Sequence, residues 1–271
     1  MLVQGAGSEN ATIRGIISDL DGVAYRGEQP IPEPVQAFRA WHSRGVPYAF
    51  VTNNSTKSAA QFAAKLNSMG ITATAAQVFN TISATAALML EGWRRGTSMF
   101  AIGERPLFDA LEDAGYRQAG ENAEVVILGF DSDLTYAKLR TAVRAALDGA
   151  TLVVTNPDVL TPVDDGYEPC VGALAAAITA AVPIAVPIIA GKPQPFTIEQ
   201  ALAYLGTKKS KTVMIGDQIS TDIAAGQNTG LRSILVASDV PFNAVAGITP
   251  DRVVSSLLDL IDGFAAEAAV P

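Results

Sequence analysis

The sequence predicts an α/β protein with a parallel sheet covered by helices on both faces. Three observations carry that expectation. Short apolar, β-prone runs alternate with helix-length stretches along most of the chain, which is the rhythm of βαβ units. Polar clusters fall just after several of those runs, where the carboxyl ends of parallel strands gather ligands. The chain has 271 residues, 49% hydrophobic and 17% charged, enough to bury a sizeable core and too apolar for a disordered chain.

Met1–Thr12 is polar and reads as a loose lead-in, and its Gly5-Ala6-Gly7 has no strand before it and no helix after it. Ile13–Ser18 is the first strand. Val23–Pro34, with Gly27, Pro30, Pro32 and Pro34, reads as loop or hairpin, and Val35–Ser43 as helix with Val35, Phe38 and Trp41 on one face. Val46–Val51 is a second buried strand, and a helix then runs to about Met69, closed by Gly70. Further strands are expected at Ser98–Ile102, Val125–Leu128, Leu152–Thr155, Ala185–Ala190, Thr212–Ile215 and Ser233–Val236. Helices are expected at Ile82–Arg94, Pro106–Ala114, Tyr136–Leu147, Gly172–Ala181 and Phe196–Leu205. Another runs to about Asn228, capped by Gly230, and an Ala-rich helix starts at Ser255.

Composition removes several function classes. A net charge of −8 argues against a nucleic-acid partner, which needs a basic face. A single cysteine, Cys170, and a single histidine, His42, exclude an intrachain disulfide and any Cys- or His-pair metal motif. The most apolar stretch, Val171–Ala190, is broken by Pro183 and Pro187, so no membrane span is expected. No charged-then-apolar leader opens the chain, and a cytoplasmic protein is the default.

The chemistry centres on Ile16-Ile17-Ser18-Asp19-Leu20-Asp21-Gly22, an apolar strand ending in two acids and a glycine. Residues two apart in extended chain project to one side, so Asp19 and Asp21 can face one small volume. Two adjacent carboxylates repel unless one keeps a proton or a cation intervenes. The plain alternative is a turn, where Asp and Gly are common. Thr52-Asn53 opens the next helix, either as an anion-binding amide terminus or as a simple N-cap. Lys192, between Gly191 and Pro193, is either a point charge for phosphate or a surface lysine. Gly216-Asp217 with Asp222 offers two more carboxylates; Asp217 suits a hard cation, and Asp222 is a supporting acid or a helix-start acid.

In this order, at successive strand ends, these clusters resemble the haloacid dehalogenase superfamily of phosphatases. Asp19-Leu20-Asp21-Gly22 looks like its first motif, Thr52 its second, Lys192 its third, and Gly216-Asp217 through Asp222 its fourth. Thr52-Asn53-Asn54-Ser55-Thr56, Thr155-Asn156-Pro157-Asp158 and Gly191-Lys192-Pro193 resemble the NagD-like branch. The resemblance implies a Rossmann-like core, discontinuous over 1–81 and 183–271, with an inserted α/β cap at 82–182. Ser55–Gly191 is far longer than one crossover needs. Two departures, Cys170 where glycine is common and Ala24 where a larger apolar residue is usual, touch substrate choice and leave the reaction class alone.

The resemblance further implies a Mg²⁺-dependent phosphatase acting on small-molecule phosphomonoesters such as nucleotide or sugar phosphates. Asp19 would form an aspartyl-phosphate, and Asp21 would serve as acid and then base, its proton retained partly through the nearby Asp19. Mg²⁺ would be held by Asp19, the Asp21 carbonyl and Asp217, with Asp222 orienting Asp217 or a metal-bound water. Thr52, Asn53 and Lys192 would hold the phosphoryl oxygens. The segment 156–172 would meet the leaving group through Asp158, Glu168 and Cys170, with Asp164, Asp165 and Tyr167 nearby; an exposed acidic loop is the alternative. Cys170 has no evident activator and is expected to be inert. Dimers through the cap occur in the family, so a homodimer is within what the resemblance implies.

Asp21 argues against a dehalogenase, which has no use for a second acid there. A sugar-phosphate mutase would need a different, helical cap. A receiver module would be far shorter. A phosphotransferase, or a phosphate-ligand binding protein with a relict site, stays open on sequence alone.

Overall fold

A computed structural model describes residues 13–163, 166–237 and 245–264. The lead-in Met1–Thr12 with its glycines, the acids Asp164 and Asp165, and the Ala-rich end after Phe264 lie outside the described residues.

The predicted strands, joined by the unpredicted Val78–Asn80, Arg117–Gln118 and Arg252–Val254, assemble into two parallel sheets. The larger has six strands in the order Arg252–Val254, Arg232–Val236, Thr212–Gly216, Gly15–Ser18, Tyr48–Thr52, Val78–Asn80, all parallel. Successive residues of the central strands face opposite layers. Ile16, Phe50, Val213 and Ile215 pack with Phe38, Trp41, Phe62 and Leu66 on one face. Ile17, Val51 and Met214 pack with Ile198 and Ala201 on the other. Burial on both faces is why these strands read as unbroken apolar runs. Phe38 and Trp41 are core residues, their rings 5.1 Å apart and perpendicular.

The smaller sheet has five strands in the order Ile188–Ile189, Thr151–Val154, Val125–Leu128, Ser98–Ile102, Arg117–Gln118, again all parallel. It is also covered on both faces. Leu128, Leu152 and Val154 meet Ala142, Ala145 and Ile178 on one side. Met99, Ile127 and Val153 meet Leu107, Leu111 and Met89 on the other. Ile188–Ile189 pairs with Val153 and Val154, so a boundary at 182 cuts this edge strand from its sheet, and the pairing carries the smaller unit to about residue 190. No helix among the described residues is long and apolar enough to cross a membrane.

Several local expectations need correcting. The first helix starts at Pro32, not Val35, because Pro32 and Pro34 sit in the first turn, where no amide is needed. The helix after Thr52 starts at Ala59, where Ser58 and Gln61 form a reciprocal capping box. Thr52-Asn53 therefore does not open a helix. Asn54 holds an intervening turn, its Oδ1 accepting from the Thr56 amide at 2.9 Å and hydroxyl at 2.7 Å. Segment 156–172 is not a plain loop: Leu160–Val163 and Gly166–Pro169 form an antiparallel hairpin. Of the Ala-rich helix expected from Ser255, the described part, Leu257–Gly263, is a 3₁₀ helix.

Candidate active site

The carboxyl ends of the larger sheet converge on one cavity of about 290 Å³. Asp19, Asp21, Thr52, Asn53, Lys192, Asp217 and Asp222 line it, and so do Asp158, Glu168 and Cys170 from the smaller unit. Strand Gly15–Ser18 is central in the sheet, flanked by Thr212–Gly216 and Tyr48–Thr52. That position brings Asp19, Asp217 and Thr52 to neighbouring strand ends.

Lys192 is buried, so the surface-lysine reading fails. Its Nζ lies 2.5 Å from Asp19 Oδ1 and 2.5 Å from Asp222 Oδ1. Burial pulls the ammonium down, but the two carboxylates outweigh it and hold Lys192 protonated, with a net upward shift. Asp222 Oδ2 accepts the backbone amides of Asp217 at 3.1 Å and Gln218 at 3.0 Å. Asp222 thus fixes both the lysine and the turn that carries Asp217.

Oxygen atoms of Asp19, Asp217 and Asp222 lie within 4.8 Å of one another. Burial pushes Asp19 well above the ordinary carboxylate range; Lys192 opposes, while Asp222 and Asp217 add to the rise. Three buried carboxylates against one ammonium leave excess negative charge, and an all-oxygen donor set matches a hard divalent cation. Gly22 completes the cradle. At φ 85° it lies so close to Asp217 that an added Cβ would fall 2.2 Å from Oδ2. The site therefore fits a small, hard cation.

Asp21 is only half-buried, and its carboxylate turns away from that group toward Tyr25, whose hydroxyl donates to Oδ2 at 3.5 Å. Its pKa is raised, as an acid–base group requires, but by burial, with Lys65 and Lys192 pulling the other way. The expected contribution from Asp19 is not among the causes.

Asn53 proves to be a junction. Its Oδ1 accepts the Lys192 amide at 2.9 Å, and its Nδ2 donates to the Lys192 carbonyl at 3.1 Å and to Asp158 Oδ2 at 2.9 Å. Its own carbonyl accepts from Asn156 Nδ2 at 2.8 Å. Ser55 makes a second tie, accepting the Phe130 amide at 3.0 Å. These bonds close the smaller unit over the acids. Asp158 is pushed up to about 6 by burial, against the Asn53 hydrogen bond. Cys170 is pushed up to about 12, again by burial, and its Sγ donates to Asn156 Oδ1 at 3.7 Å. A thiol so hard to ionise is a poor nucleophile.

Sequence reasoning gave no role to Tyr25, Ser55, Lys65 and Phe130. Ser55 lies within the Thr52–Thr56 motif, but nothing in sequence separates Tyr25, Lys65 and Phe130 from ordinary core, helix or loop residues.

The description haloacid dehalogenase-like hydrolase matches residues 16–117, and the related HAD-hydrolase-like description matches residues 189–260. The chain is 40% identical over 229 residues to the 5'-nucleotidase YutF of Bacillus subtilis, covering 84% of this chain and 89% of that protein. It is 36% identical over 228 residues to an acid sugar phosphatase of Staphylococcus aureus, covering 84% and 87%. Among solved structures, a thermostable NPPase double mutant from Geobacillus stearothermophilus superposes with a TM-score of 0.81 at 38% identity, covering 92% of this chain and 98% of its own. The p-nitrophenyl phosphatase from Archaeoglobus fulgidus gives 0.82 at 30%, covering 93% and 99%. With its acids, lysine and glycine at the ends of the larger sheet and these relatives along nearly its full length, the chain belongs to the haloacid dehalogenase-like hydrolases, in their NagD-like phosphatase branch.

Proposed function

We propose that this protein hydrolyses small-molecule phosphomonoesters through an aspartyl-phosphate on Asp19. The observation that carries the reading is the Asp19–Lys192–Asp222 arrangement, set in one cavity with a second acid, Asp21, two residues beyond the nucleophile. The relatives named nucleotidase, sugar phosphatase and p-nitrophenyl phosphatase support nucleotide, sugar or aryl phosphates as the substrate class.

In the first step a carboxylate oxygen of Asp19 bonds to phosphorus as the ester P–O bond breaks. Asp21 gives its proton to the departing alkoxide. In the second, Asp21 takes a proton from water as that water attacks phosphorus, and the bond to Asp19 breaks to release phosphate. Lys192 and Thr52 stand ready to hold phosphoryl oxygens as charge shifts. Lys192 also orients Asp19, so the nucleophile is aimed before substrate arrives. Asp19, Asp217 and the Asp21 carbonyl would hold Mg²⁺, with Asp222 fixing the Asp217 turn. Magnesium, when bound, offsets repulsion between the anionic nucleophile and the anionic phosphoryl group. The smaller unit, tied down through Asn53 and Ser55, excludes water from the leaving group. We assign the units as a core interrupted by a cap, and we place the protein in the cytoplasm.

Phosphate release is the test. The panel comprises nucleoside monophosphates, sugar phosphates, glycerol phosphate and p-nitrophenyl phosphate, each with and without Mg²⁺. Mg²⁺-dependent turnover that disappears in Asp19→Asn, with the fold intact by circular dichroism, is the expected result. An Asp19→Asn protein with normal kcat would sink the covalent scheme. Binding without turnover by the wild type would favour a phosphate-ligand binding protein.

A further inference from the structure

Just beyond the Asp19–Gly22 turn, Tyr25–Arg26 and Gln29–Pro30 pair as a small hairpin. Tyr25 is fully buried, and it touches the turn three times: its carbonyl accepts the Gly22 amide at 2.8 Å, its amide donates to the Leu20 carbonyl at 3.4 Å, and its hydroxyl reaches Asp21 Oδ2 at 3.5 Å. Lys65, from helix Ala59–Ser68, comes from the opposite side. Its Nζ sits 3.9 Å from the centroid of the Tyr25 ring. The same ammonium donates to the Gly27 carbonyl at 2.6 Å and to Glu28 Oε1 at 3.0 Å. The Lys65 side chain is only 10% exposed, and it lines the cavity that holds Asp19 and Asp21.

A lysine withdrawn from water to that extent requires partners. Here they are the aromatic face beside Asp21 and the tip of the hairpin that follows it. A cation on an aromatic face contributes more when desolvated. One ammonium therefore presses the Tyr25 ring and anchors the hairpin tip, fixing the wall against which Asp21 rests.

We propose that Lys65 is a positioning residue for Asp21, clamping Tyr25 and the Gly27–Glu28 tip so that the Asp21 carboxyl stays aimed at the leaving-group oxygen. The inference rests on the phosphatase reading and on Asp21 as proton donor. Lys65 is outside the four motifs and need not touch the phosphoryl group.

A displaced proton donor matters most when the leaving group is poor. An alkoxide needs its proton during bond cleavage, whereas p-nitrophenolate departs without one. The experiment compares kcat/KM, which reports only the steps up to departure of the alcohol, on glycerol phosphate and on p-nitrophenyl phosphate for wild type, Lys65→Met, Lys65→Arg and Asp21→Asn. Lys65→Met is expected to lose about tenfold on the alkyl ester and under about threefold on the aryl ester, a fraction of the effect general-acid groups supply. Lys65→Arg, which can donate to both oxygens and lie on the ring, restores most of the alkyl activity. Lys65→Gln carries the same comparison if Lys65→Met does not fold. Equal losses on the two esters, or no rescue by arginine, overturn the positioning role while leaving the phosphatase reading standing. An Asp21→Asn protein with no bias between the esters overturns the proton-donor assignment itself, and with it the role given to Lys65.

Discussion

The side-chain amide of Asn53 reaches Asp158 across 105 positions of sequence, donating from Nδ2 to Oδ2 at 2.9 Å while both of its polar atoms hold the backbone of Lys192. One amide thus registers the smaller unit against Lys192. Asn53→Ala removes three hydrogen bonds at a buried position, which costs about 2–4 kcal/mol. Melting is expected to fall by about 5–10 °C. Turnover should fall further than any surface variant's, because Lys192 loses its register. Asn53→Asp, which sets an anion against Asp158 and the Lys192 carbonyl, should be worse. Thermal melts and kcat on one panel ester check both.

Asp158 gives a pH signature. Burial raises it to about 6 from an unfolded value near 3.8. Because the folded state favours the neutral acid, its contribution to stability is fully present below about pH 4. It is lost as pH rises through about 6. Asp158→Asn, always neutral, should lack this decline. Relative to wild type the variant should gain melting temperature between pH 4.5 and 7, by about 3 °C. A difference that stays constant across that range would contradict the assignment.

Gly22 and Gly206 form a matched pair. Both have positive φ, 85° and 65°, but a Cβ on Gly22 meets Asp217 Oδ2 at 2.2 Å while one on Gly206 meets nothing within 4 Å. Alanine at either position carries a left-handed backbone penalty of about 1–2 kcal/mol. Only Gly22→Ala should also displace a carboxylate of the acid cluster. Calorimetric Mg²⁺ titration should show affinity weakened at least about tenfold in Gly22→Ala and unchanged in Gly206→Ala, since losing an oriented ligand costs on that order.

Lys192→Met should expose how much the acids depend on their cation. Lys192 is shifted upward, so its stabilisation is present below its unfolded pKa and is lost only at strongly alkaline pH. Removing it leaves Asp19 and Asp222 buried without their ammonium, at a cost of about 3–5 kcal/mol. Protonation of Asp19, which burial already favours, relieves part of that cost, so the deficit in melting temperature should shrink from pH 7 to pH 5. Activity should be lost throughout.

The sheet and the acids were legible because they are local. Central strands buried on both faces read as apolar runs; Asp19 and Asp217 follow such runs directly, Thr52 ends one, and Lys192 follows the apolar run at the edge of the smaller sheet. Short edge strands such as Val78–Asn80, Arg117–Gln118 and Arg252–Val254 carry little pattern of their own and exist through their neighbours. The paired strands Leu160–Val163 and Gly166–Pro169 were hidden by Pro162, which breaks the strand pattern. Asn53 as a junction, and Lys65 on the Tyr25 ring, depend on partners far along the chain, which no local pattern announces. The helix expected at Thr52 lost to two competitors: Asn54, which turns the chain on itself, and Ser58 with Gln61, which cap better.

Gly191 leaves the smaller sheet one residue before Lys192, and it passes so close to Thr81, where the chain enters that unit, that an added Cβ would lie 2.4 Å from the threonine methyl. Entry and exit are therefore side by side. A segment whose two ends nearly touch can be exchanged for another without stretching its host, as insertions at adjoining ends are tolerated elsewhere. On the proposed mechanism, the chemistry at Asp19 would then be separable from the choice of alcohol. Over evolutionary time one can be kept while the other is replaced, provided any new insertion still offers a partner to Asn53.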